Sequence, residues 1–166
     1  LSGGYCSIAN AVPQVTMVTD FADVPRGKDE AYRLEIKDGN VRISAITDLG
    51  VLRAKQTLTQ IMEGGEQVPC CTILDWPEFP VRAFMQDIGR AYLPVDELKD
   101  EINNLSRFKV SIFHWHLAEN EAWRLQSDIY PQLNDAQYMT REAGKFYTKA
   151  EVREIVDYAA ERGMQV

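Results

Sequence analysis

Histidine and cysteine are scarce in this chain of 166 residues, which carries two of the first and three of the second. Cys6, Cys70 and Cys71 contain no CxxC spacing, which excludes a cysteine-ligated zinc module and a dense disulfide framework. The adjacent Cys70 and Cys71 read as small buried strand residues, and a bridge from Cys6 to either of them stays open. Basic charge is also short. Lys and Arg total 18 against 25 Asp and Glu, a net charge of −7, which argues against nucleic-acid backbones and anionic membrane surfaces as partners. No apolar run approaches the roughly 20 residues of a membrane-spanning helix. What is present is ordinary for a globular protein of one domain or two small ones, with 45% hydrophobic and 26% charged residues. The opening Leu1-Ser2-Gly3-Gly4 lacks a methionine, as either a cleaved export signal or a cloning cut would leave it.

Hydropathy patterning divides the chain near residue 75. Residues 1–13 predict a loose entry, and the β-branched Val15–Thr19 a first strand. Tyr32–Ile36 and Val41–Ala45 alternate around Asp38-Gly39-Asn40, the pattern of a hairpin. Its apolar face needs a cover, which the spacing predicts as a helix over Asp48–Met62 ending at Gly64-Gly65. A short strand, Cys71–Leu74, completes a small sheet-plus-helix α+β domain over residues 1–75. The two prolines of Asp75-Trp76-Pro77-Glu78-Phe79-Pro80 mark the boundary. Over residues 76–166 the order becomes strand (Val81–Asp87), helix (from Pro94), strand (Val110–Leu117), a loop of about 30 residues, helix (from the capping box Thr148–Glu151), and the start of a strand at Met164. That order predicts an α/β fold with parallel strands, in a barrel or an open sheet.

The candidate chemistry is sparse. Asp29-Glu30, Asp96-Glu97 and Asp100-Glu101 read as solvated charges, since catalytic carboxylates need a pocket that separates their pKa values. His114 and His116 share one strand face near its C-terminal end, where α/β barrels carry their sites. Two histidines fall short of a closed ligand set, so no metal and no cofactor are expected. His114 is read as a hydrogen-bonded interior residue and His116 as part of a pocket floor. Arg82, inside an apolar strand, is either paired with a carboxylate such as Asp87 or Glu119 or aimed at ligand hydroxyls. Glu119-Asn120-Glu121-Ala122-Trp123-Arg124 mixes acids, an amide and an indole, a combination suited to a sugar ring.

Five blocks in order carry a specific likeness: Asp75–Arg82, Asp87-Ile88-Gly89-Arg90, Phe113-His114-Trp115-His116-Leu117, Trp123-Arg124-Leu125 and Tyr130-Pro131-Gln132-Leu133. Together they resemble the family 20 glycoside hydrolases, the β-N-acetylhexosaminidases, and the likeness runs from about Val15 onward. It implies a non-catalytic accessory domain over 1–75. Residues 76–166 would then be the first two to three strands of an incomplete (β/α)8 TIM barrel, since a complete one takes about 250 residues. It further implies removal of terminal N-acetylglucosamine or N-acetylgalactosamine from glycans by a retaining mechanism in which the substrate's own acetamido oxygen attacks the anomeric carbon. The family's Asp-Glu pair ends the fourth barrel strand, and no such context exists here, so no catalytic residue is expected in this chain and the isolated chain is expected to be inactive. By motif position Arg82 resembles the clamp on the sugar's hydroxyls. Glu119 stands where most members have an aspartate supporting a later histidine, and Asn120 replaces a second aspartate. His116 and Trp123 fall in matching segments and are carried as pocket residues. A periplasmic, extracellular or surface-attached location is expected by analogy, and self-association of the isolated chain through uncovered strand edges and helix faces. The alternative is a complete carbohydrate-binding or assembly module without catalysis.

Overall fold

Alternation in the hairpin segments folds as its period predicts: strands β3 (Tyr32–Lys37) and β4 (Asn40–Ala45) pair antiparallel, and every second residue, from Tyr32 to Ile36 and from Val41 to Ala45, is buried. The computed structural model describes residues 4–37, 39–65 and 67–166. The first three residues of the predicted entry and Asp38 of the predicted turn lie outside them. Gly39 supplies the positive φ of 69° that the turn requires. The chain divides into two units, Leu1–Pro80 and Val81–Val166. Among the described residues no helix is long and apolar enough to cross a membrane.

In the first unit a four-stranded sheet adds β2 (Gln14–Met17) parallel to β4 and β6 (Cys71–Asp75) antiparallel to β3. Helix α1 (Asp48–Met62) has the predicted bounds, capped by the Thr47 hydroxyl accepting from the Gly50 amide at 3.2 Å. It lays Val51, Ala54 and Leu58 on the buried stripe of the hairpin. Gly50 is needed where the helix crosses the sheet, because a Cβ there would stand 2.7 Å from the Ala31 carbonyl oxygen.

Three expectations are corrected in this unit. The entry is not loose throughout: β1 (Tyr5–Ser7) pairs antiparallel with β5 (Gln67–Pro69). Periodicity cannot announce a three-residue strand whose partner is 60 residues away. The open cysteine pairing resolves as Cys6–Cys70, with Cα atoms 5.3 Å apart, and Cys71 is free. Glu30 is not a solvated charge, since its carboxylate accepts from Nε of the fully buried Arg53 at 2.6 Å.

The second unit is built of alternating strands and helices. Strand β7 (Ala83–Asp87) leads through α2 (Val95–Arg107) to β8 (Ile112–His116), which lies parallel to it. The long connection after β8 is not structureless: it holds a short hairpin, β9 (Ala118–Glu119) with β10 (Ala122–Trp123), and two 3-10 turns, Pro131–Asn134 and Ala136–Tyr138. Helix α3 (Lys149–Ala160) starts at the predicted capping box, Thr148 with Glu151. Gln165 then bridges in parallel to Ile112 on the free side of β8. One face of β7 and β8 is closed by a core of Phe113, Trp115, Leu98, Ile102, Ile155 and Ala159, contributed by both helices. On the other face Met85 is 52% exposed. His114 is exposed there too, in edge contact with the His116 ring.

Candidate functional site

Parallel register sets Met85 beside His114 and Asp87 beside His116, so the uncovered face of the sheet ends in an acid and an imidazole at the carboxyl ends of adjacent strands. In open and closed α/β sheets alike, that end is where ligands sit. The chain then turns over the end of β8. The amides of Ile88 and Gly89 donate to the His116 carbonyl at 2.9 and 3.2 Å. Arg124, fully buried, holds the same dipeptide from the other side, with Nε on the Ile88 carbonyl at 3.1 Å and Nη2 on the Gly89 carbonyl at 3.3 Å. Its remaining donors reach the carbonyls of Arg141, Glu142 and Lys145 in the long connection. A planar fork that fills five carbonyl acceptors is a task for guanidinium and not for an ammonium.

The clamped turn delivers Arg90. Its amide donates to Asp87 Oδ1 at 3.1 Å and its Nε to Asp87 Oδ2 at 2.5 Å, leaving the outer edge of a 57% exposed side chain toward solvent. Desolvation by itself would raise the Asp87 carboxyl, but the two Arg90 hydrogen bonds and the nearby cationic charge outweigh it and hold the group below its ordinary value. Hydrogen bonding to Asp87 in turn raises Arg90, with Glu119 and Glu121 adding to the effect. Across the site His116 Nε2 lies 3.0 Å from Glu119 Oε1, so the longer glutamate reaches the imidazole from the first strand of the hairpin.

Asp87, His116 and Glu119 bring one donor atom each within 4.8 Å of one another. Such an oxygen, nitrogen and oxygen trio can suit a divalent cation. Here both Asp87 oxygens are already engaged by Arg90, so the group is better described as an ion pair beside a hydrogen-bonded His–Glu pair.

Of the residues singled out from sequence, His116 and Glu119 meet here, and Asn120 and Trp123 follow in the same hairpin, both exposed. Arg82 does not join them. It precedes the first residue of β7, five residues from Asp87 and about 16 Å away along an extended chain. There its Nε donates to the Lys109 carbonyl at 2.8 Å, while Asp87 and Glu119 are taken by Arg90 and His116. Sequence reasoning passed over Arg90, although the spacing of Asp87 and Arg90 across a glycine-containing turn was readable. Nothing in the pattern around Arg124 announces its burial.

Two family descriptions match the chain: "Glycosyl hydrolase family 20, domain 2" over residues 9–76 and "Glycosyl hydrolase family 20, catalytic domain" over residues 79–166. A β-hexosaminidase of Vibrio furnissii is 36% identical over 159 residues, covering 86% of this chain and 26% of the relative. Among solved structures, the Flavobacterium johnsoniae chitobiase aligns at a TM-score of 0.80 with 26% identity, over 97% of this chain and 31% of that one. The Vibrio harveyi exo-β-N-acetylglucosaminidase in complex with N-acetylglucosamine aligns at 0.77 with 28% identity, over 92% and 26%. The mixed α/β fold is thus that of these hydrolases, and the chain spans about a quarter to a third of the relatives it matches.

Proposed function

The chain belongs to glycosyl hydrolase family 20, and from that membership we propose that it supplies the accessory domain and the opening strands of a TIM barrel in a β-N-acetylhexosaminidase. The whole enzyme would release terminal N-acetylhexosamine residues from glycans by the substrate-assisted retaining route, with its catalytic Asp-Glu pair in polypeptide outside this sequence. The observation that carries the reading is the convergence of Asp87, Arg90, His116 and Glu119 at the carboxyl ends of two parallel strands, on the face the helices leave open. In this reading Arg90, not Arg82, is the donor to the sugar's hydroxyls: Asp87 fixes its Nε and the exposed fork edge faces outward. Glu119 orients His116 through the 3.0 Å contact, and Asn120 and Trp123 border the ring.

The same proposal includes two further points. The Cys6–Cys70 bridge supports an oxidising location, periplasmic, extracellular or surface-attached. Self-association of the isolated chain is a proposal alone, to be read out by sedimentation. A free-standing sugar-binding module is not favoured, because the relatives are named as hydrolases.

Release of nitrophenol from 4-nitrophenyl N-acetyl-β-glucosaminide tests the proposal. The 166-residue chain should be inactive, and the polypeptide extended past Val166 active. In the extended protein Arg90→Ala should lower kcat/KM by about 10- to 100-fold, the worth of a charge-assisted hydrogen bond or two. Activity of the 166-residue chain alone, or an extended polypeptide with none, would overturn it.

A further inference from the structure

We propose that Glu142 is a positioning residue: its carboxylate, reaching in from the long connection before α3, fixes the far end of the loop that presents Arg90. That Arg90 meets a sugar rests on the hydrolase reading above; that Glu142 orders Arg90 does not. The loop spans residues 88–94, between β7 and α2, with Arg90 inside it. His116, Arg124 and Asp87 tie its near end. Past that point the ties come from residues 141–147. Arg141 Nη1 donates to the Arg90 carbonyl at 3.2 Å, the Tyr92 amide donates to Glu142 Oε2 at 2.5 Å, and the Tyr147 hydroxyl donates to the Leu93 carbonyl at 2.5 Å.

Two carboxylates therefore bracket Arg90 along the chain. Asp87 accepts the Arg90 amide from one side, and Glu142, 50 residues further on, accepts the Tyr92 amide from the other. A backbone amide donating to an ionised carboxylate is among the stronger hydrogen bonds. The Tyr92 amide and then Lys145 hold the Glu142 carboxyl below its ordinary value, so the acceptor is charged at neutral pH. A donor fixed before its ligand arrives loses little freedom on binding it.

The backbone at Glu142 points the same way. Its φ is 45°, a left-handed conformation that glycine takes freely and a residue with a Cβ does not. Such a residue persists only where its surroundings over-determine it. Here Oε1 accepts from Lys145 Nζ at 3.0 Å, and the Glu142 carbonyl accepts from Arg124 Nη1 at 3.1 Å. Arg124 also holds Ile88 and Gly89, so both ends of the Arg90 loop share one support. A structural ion pair is the competing account, since Oε2 also lies 3.8 Å from Arg124 Nη2. Glutamine separates the two, because it keeps an acceptor for the Tyr92 amide and loses the charge.

The test has two readouts. In the 166-residue chain, nitrogen relaxation NMR reports the order of the Arg90 Nε–H group. Glu142→Gly, which removes the left-handed strain together with the carboxylate, should lower that order, and Glu142→Gln should keep it. Glu142→Asn, tolerated at positive φ and one methylene too short for Tyr92, should behave as the glycine variant does. In the polypeptide extended past Val166, Glu142→Gly should raise KM for 4-nitrophenyl N-acetyl-β-glucosaminide about 3- to 10-fold, the cost of ordering one long side chain, with a smaller change in kcat. Glu142→Gln should recover most of that loss. In an Arg90→Ala background Glu142→Gly should add nothing further. Unchanged Arg90 order in the glycine and asparagine variants, equal losses in the glutamine and glycine variants, or the same rise in KM without Arg90 would each overturn the positioning role. Wild-type KM in Arg90→Ala would instead overturn the sugar contact, and Arg90 order would then judge Glu142 separately.

Discussion

A Cβ added to Gly89 would stand 2.8 Å from Cβ of Glu119 and 2.9 Å from its backbone nitrogen. Gly89 therefore permits the close approach of the turn after β7 to the hairpin that carries Glu119. Both its neighbours are fixed, since the His116 carbonyl holds the turn on one side and Arg124 on the other. Gly89→Ala cannot relax by moving the turn and must push β9 away. We expect a loss of about 1–3 kcal/mol in urea unfolding, typical of overpacking, together with loss of the His116–Glu119 contact in the variant's structure. Unchanged stability and an intact contact would show that the turn is softer than its hydrogen bonds imply.

Arg124 carries a different expectation. Removing a buried guanidinium strands the five carbonyls it serves. Arg124→Ala should cost about 3–5 kcal/mol in unfolding of the second unit. Arg124→Lys should recover only part of it, because a single ammonium cannot span both the turn and the long connection. Full rescue by lysine would mean that charge rather than fork geometry matters.

Much of this architecture is legible in the sequence. Strong periodicity gave α1 its bounds, the Thr148–Glu151 box started α3, and alternation placed β3 and β4. Weak elements were not legible. The three residues of β1 are stabilised by a partner across the whole first unit, information no local window contains. The site was half legible: a period of two found His116, and the loop composition found Glu119 and Trp123. Arg82 drew attention because an arginine in an apolar strand is costly, yet its cost is met locally by the Lys109 carbonyl at the far end of the strand. Arg90 stood only inside the Asp87-Ile88-Gly89-Arg90 block of the likeness, with no role of its own, because its meaning lies in Asp87, three residues away, and in the His116 register across the sheet.

The Cys6–Cys70 bridge closes a long loop, its ends 64 positions apart, over most of the first unit. In the chain-entropy account a loop of that length contributes about 4 kcal/mol. Reduction should lower the first unit's melting temperature accordingly, and Cys71→Ser should leave the oxidised protein unchanged. Thiol titration of the unfolded, unreduced chain should find one free group. Three would refute the bridge and remove its support for an oxidising location.

Acid should loosen the site from the Asp87 side. Its carboxyl is held below the ordinary aspartate value in the folded chain, so ionisation favours folding. That contribution is complete above the unfolded value of about 4 and is lost as pH falls through the folded one. Glu142, lowered by the Tyr92 amide and Lys145, acts in the same direction in the same unit. Between pH 7 and pH 5 neither group changes charge, and stability should be flat as far as they are concerned. Carbonyl-carbon NMR should show Asp87 titrating below the free amino acid's range, and Arg90→Gln should move it upward. An Asp87 midpoint at the ordinary value in the unsubstituted chain would mean that Arg90 swings free in solution. The guanidinium would then have to be ordered by the ligand at an entropic cost, and Arg90→Ala would weaken binding less than a preorganised donor should.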